Sequence, residues 1–146
     1  MQESPLQILE VRAGRADDAP VTITAAVSAK ASEAIFVALS EQRARRRSER
    51  AVNAEEVLVL REHVALAERF QPLASAGAHA IVRLSAPELR TCLLELTDYA
   101  NRVDGEHYQP AELRERVALI ARISPILWDA NAAAAAAEDE LAHATH

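Results

Sequence analysis

The segment LREHVALAERFQP, which starts at Leu60, returns fifty-three residues later as LRERVALIARISP, starting at Leu113. Eight of the thirteen columns are identical. Helical periodicity alone produces apolar matches, but it forces neither the shared Arg-Glu pairs nor the closing prolines Pro72 and Pro125. The likeness continues upstream at an offset of fifty-seven: VSAKASEAIFVALSE from Val27 aligns with LSAPELRTCLLELTD from Leu84, matching Ser28 to Ser85 and Leu39 to Leu96. Ahead of each lies an alternating apolar run, Val21, Ile23, Ala25 and Val27 in one case and Ala78, Ala80, Val82 and Leu84 in the other. Period two over such a run is the mark of a strand with one buried face.

Each unit, residues 21–72 and 78–125, is therefore expected to form strand, helix, helix. One unit alone would leave the apolar faces of its strand and both helices in water, whereas two can bury them against each other. The expected fold is α+β and predominantly helical: two pseudo-repeated strand-helix-helix units, a small antiparallel sheet and a C-terminal helical tail. Residues 1–130 form a single domain on this reading, with 131–146 an alanine-rich helical or frayed tail. At 146 residues the chain suffices for one sizeable core without metal or disulfides. LQILEVRA, near the start, is a further strand candidate.

Punctuation is clearest in the second unit. Ser85 and Glu88 have the spacing of a capping box, Leu84 and Leu89 that of a hydrophobic staple, and Pro87 suits a first turn. Leu89, Cys92, Leu93, Leu96, Ala100 and Val103 form one stripe, which Gly105 ends. Pro110 opens the next helix, with Glu112 and Arg116 at i,i+4 and Leu113, Val117 and Ile120 facing inward. Ser124 and Pro125 are expected to stop, kink or restart that helix, and Trp128 beyond them to anchor the tail or an interface, with core packing favoured over ligand stacking. In the first unit no glycine or proline occurs from Val21 to Gln71, so a break is placed near Ser48 to Asn53, one long helix being the alternative.

Composition narrows the function classes. A net charge of −6 opposes long-range attraction to a polyanion, so nucleic acid is not the favoured partner. The lone cysteine, Cys92, excludes an intramolecular disulfide, and the N-terminal segment resembles neither a signal peptide nor a membrane span. Cytoplasmic localisation and no membrane partner are expected. Lys30 is the only lysine among 16 basic residues, a bias typical of a GC-rich bacterial coding sequence.

The most pointed polar motif is RARRRSER. Arg43, Arg46, Arg47 and Arg50 fall on one helical face and extend the stripe of Ile35, Phe36 and Leu39, so a row of guanidiniums could hold an anion or an acidic partner. The competing account is a helix running past the core, its arginines favoured by the C-terminal dipole. Asp98, Asp104, Glu106, His107 and Tyr108 gather around Gly105, where carboxylates and an imidazole could bind a cation or move protons. A solvated helix-helix turn needs the same residues, and their spacing fits no calcium loop. His63 corresponds to Arg116 in the repeat, which marks a stripe edge; His143 and His146 lack further ligands; His79 should point outward. Cys92 lies on an apolar stripe as a small hydrophobe. No catalytic motif, cofactor or metal is implied. The expectation is a non-enzymatic cytoplasmic protein-interaction or accessory module, binding a protein partner or itself as a homodimer. The alternative is a nucleic-acid-associated regulator using the Arg43–Arg50 face.

Overall fold

Alternation over residues 21–27 builds the middle strand of the sheet, and everything else is arranged about it. The computed structural model describes residues 4–13, 21–48, 54–74, 79–104 and 110–144. Its elements run β1 (Leu6–Arg12), β2 (Thr22–Val27), α1 (Ala29–Ser48), α2 (Ala54–Ala74), β3 (Ala80–Ser85), α3 (Ala86–Asp104) and α4 (Ala111–Ala144). The fold is thus α+β and mostly helical, with an antiparallel sheet of order β1-β2-β3. LQILEVRA supplies β1, and α1 and α2 are separate helices ending at Ser48 and beginning at Ala54.

Val21, Ile23, Ala25 and Val27 are all buried, and Val82 and Leu84 of β3 lie on the same inner face. In β1 the apolar residues Leu6, Ile8 and Val11 break strict alternation. A bulge between Ile8 and Glu10 restores it: Ile8 pairs with Ala25 and Glu10 with Thr24, so Leu9 is the extra residue and Val11 returns to the inner side beside Ile23. Over that inner side the core closes with Ile35 of α1, Phe70 of α2, Leu89 and Cys92 of α3 and Leu127 of α4, around an apolar void of about 10 Å³. A space that small and that apolar stays dry.

Local signals place the second helix pair. Ser85 Oγ accepts the Glu88 amide at 3.2 Å and the Glu88 carboxylate accepts the Ser85 amide at 2.9 Å, a reciprocal capping box. The stripe of Leu89, Cys92, Leu93, Leu96 and Val103 is buried as expected, and Tyr99 joins it. Ser28 caps α1 in turn, its Oγ accepting the Ala31 amide at 3.1 Å.

Pro125 does not end α4. The helix runs through it to Ala144, continuous across residue 130. A proline inside a helix costs about 3 kcal/mol. Burying Ile123 and Leu127 on either side returns about 1.5–3 kcal/mol each, which holds the helix together. Continuity fixes the face that α4 presents: Ile120, Ile123, Leu127, Ala130 and Ala134 are buried, and Trp128, one residue past Leu127, is turned out at 49% exposure. The unbroken helical period thus keeps Trp128 out of the core. Pro72 likewise lies within α2, which ends at Ala74. Among the described residues no helix is long and apolar enough to cross a membrane.

Candidate functional site

Helix α1 continues to Ser48, so Arg43, Arg46 and Arg47 occupy positions of one face on its last turns; Arg50 lies outside the described residues. Of the acidic turn, Asp98 is half-buried on α3 and Asp104 ends that helix, while Glu106, His107 and Tyr108 lie outside the described residues, as does His146. His79 is exposed, as expected, with its Nε2 3.0 Å from the Ser4 carbonyl. Among the described residues no group of three or more His, Cys, Asp or Glu side chains is placed to hold a metal ion.

The structure assembles a different polar cluster, on Tyr99. Its ring is buried in the core, and its hydroxyl accepts a hydrogen bond from Arg116 Nη1 at 3.0 Å. Arg116 also lies 3.8 Å from Glu33 of α1 and 3.7 Å from Glu112, the expected i,i+4 pair. Burial works to lower the Arg116 pKa, but the Tyr99 hydrogen bond and the nearby charges of Tyr99, Glu33 and Glu112 outweigh it, and the pKa is raised. On the other side, the Arg102 guanidinium stands 5.5 Å from the centre of the Tyr99 ring and donates from Nη2 to Glu41 at 3.0 Å. The cluster therefore ties α1, α3 and α4 together. Sequence reasoning found only its Glu112–Arg116 member, because the other pairs join residues far apart in the chain and follow no local spacing.

Beside the cluster, a groove of about 460 Å³ opens between α1 and α4. Lys30 and Glu33 of α1 and Glu112, Glu115, Arg116 and Arg122 of α4 line it. Three cations against three carboxylates cancel, so the groove offers no field for a ligand of one sign. Cys92 is fully enclosed: burial first, then the Glu88 charge, pushes its pKa up from 9.0 to about 12, leaving a thiol without nucleophilic character at neutral pH.

Leu9, Ile81, Leu94 and Trp128 are large hydrophobic residues exposed by 49–62%. Leu9 and Ile81 belong to the sheet, Leu94 and Trp128 to the hairpin of α3 and α4. No family model, curated protein or solved structure matches the chain.

Proposed function

We propose that the chain is a non-enzymatic cytoplasmic protein-interaction or accessory module that associates with a protein partner or with itself. The observation carrying this reading is the set of four exposed large apolar side chains, on a molecule whose Tyr99 cluster pairs its charges internally. Tryptophan is among the side chains that most often anchor an interface. Affinity capture of the full chain from its native cell, repeated with nuclease, together with light scattering of the pure protein, tests it. A stoichiometric protein partner surviving nuclease, or a mass above the monomer, is expected; a monomer that captures nothing overturns the reading.

The architecture behind it is a duplicated strand-helix-helix unit. Its support lies in register. At the offset of fifty-seven the counterpart of Ala25 is Val82, and these two residues pair directly between β2 and β3. The flanking pairs Ile23–Leu84 and Val27–Ala80 then exchange under a two-fold axis through the Ala25–Val82 pair. Ser28 and Ser85, matched by the same offset, both cap the helix that follows. Experimental coordinates in which 21–72 and 78–125 superimpose about that axis are the expected result; a different spatial order of the helices rejects duplication.

A nucleic-acid-associated regulator is the second reading, favoured by the continuity of α1, which puts Arg43, Arg46 and Arg47 on one face. It requires binding to duplex or single-stranded DNA that weakens steeply with salt and is lost on charge reversal of Arg43, Arg46, Arg47 and Arg50. Binding absent at low salt eliminates it.

A further inference from the structure

The outer side of the sheet carries a charge pattern that is complementary to itself. Register places Glu10 of β1, Thr24 of β2 and Arg83 of β3 in one row, with Gln7, Ala26 and Ile81 in the row on one side and Arg12, Thr22 and Ser85 on the other. Gln7, Ile81 and Arg83 are exposed on this face, and Thr22, Thr24 and Ala26 are shielded only in part. Strand spacing separates the backbones of Glu10 and Arg83 by about 10 Å. Glu10 pairs with its neighbour Arg12, whereas the Arg83 guanidinium makes no ion pair among the described residues.

The sheet edges are poorer docking lines than the face. β1 bears the bulge at Leu9 and the Glu10–Arg12 pair, both of which discourage strand addition. On β3 the Arg83 carbonyl already accepts Arg69 Nη1 at 3.4 Å.

We propose that two copies of this chain stack by their outer sheet faces, β2 over β2, about a two-fold axis running along the strands. Such an axis lays β1 of each copy over β3 of the other, so Glu10 meets the partner's Arg83 twice. An axis across the strands would instead set Glu10 over Glu10 and Arg83 over Arg83, so the charges select the first arrangement. Thr24 and Ala26, the central outward residues of β2, are small enough to allow close approach. Ile81 loses water on the same contact.

The size of the patch sets the strength. Three strands of six or seven residues cover on the order of 300 Å², well under the roughly 800 Å² per partner of a standard interface, so the dimer is weak and depends on concentration. This inference rests on the self-association reading above, and sedimentation equilibrium of the full chain at low salt, up to about millimolar concentration, separates the two. Wild type should dimerise. Arg83→Glu and Glu10→Arg should each weaken dimerisation by about tenfold or more, because each puts like charges opposite one another; an equimolar mixture should regain a heterodimer. Both positions are exposed, and circular dichroism of each variant checks the fold. A wild-type dimer indifferent to both substitutions, or a mixture no tighter than its parts, rejects the sheet face while leaving self-association standing. A wild type monomeric throughout removes both.

Discussion

The helix pairs α1/α2 and α3/α4 cover the same sheet by different means. The second pair is held by polar bonds of long reach as well as by packing. Arg90 donates to Asn131 at 3.2 Å and forms a two-oxygen pair with Glu138 at 3.0 Å, and Arg116 reaches Tyr99 at the other end of the hairpin. Among the described residues α2 is held by Leu66, Ala67 and Phe70, with outward polar ties from Arg69 alone, to Glu88 at 2.6 Å and to the Arg83 carbonyl at 3.4 Å. Directional bonds at both ends fix the register of a hairpin, whereas a helix held by a few apolar side chains depends on the largest of them.

Removing that side chain should break the comparison most visibly. Phe70→Ala, at a site 1% exposed, is expected to cost about 3–5 kcal/mol in urea unfolding. Hydrogen exchange should locate the loss in residues 61–72 ahead of 86–103; equal loss in both would mean the pairs are one cooperative unit. Next in size is a pH effect from α3. An unfolded thiol loses its proton near 9.0, but folded Cys92 keeps its own to about 12. Between those values the unfolded chain binds fewer protons, so stability falls as pH rises, by on the order of 4 kcal/mol, and the contribution is complete below about pH 9. Cys92→Ala should flatten that slope, and a thiol reagent at pH 8 should leave the native protein unmodified. Tyr99→Phe comes third. It strips Arg116 of its hydroxyl acceptor and should cost about 1–3 kcal/mol in thermal unfolding, while leaving the ring under Arg102. A cost near zero would mean that Glu33 and Glu112 suffice.

How much of this was legible followed the range of each signal. Strands, caps and the α3 stripe rest on residues at most four apart, so Val21 to Val27, Ser85 with Glu88, and Leu89 to Val103 could be read directly. The path of α4 could not. Pro125 signals a break locally, and only the burial of Ile123, Leu127 and Ala134 against distant elements overrides it. The Tyr99 cluster was hidden for the same reason, since Arg116 to Tyr99 and Arg102 to Glu41 span seventeen and sixty-one residues. The arginine row shows the converse: its spacing was plain, but spacing alone says nothing about what a helical face meets.

The smallest expected effects test the likeness of the two units most closely. Ser28 and Ser85 each accept the amide three residues on, at 3.1 Å and 3.2 Å, so Ser28→Ala and Ser85→Ala should each cost about 1 kcal/mol by urea titration. Only α3 completes the box, because the third residue of α1 is Ala31, wholly buried, where a carboxylate has neither room nor water. Glu88→Ala should therefore add a few tenths of a kcal/mol beyond Ser85→Ala. Ala31→Glu, the change that would copy the box into the first unit, should destabilise instead of strengthening the cap. If Ser28→Ala proves silent while Ser85→Ala costs its full amount, the two serines hold equivalent positions without equivalent work, and the first helix owes its start to the packing of Ala31 and Ile35 rather than to its cap.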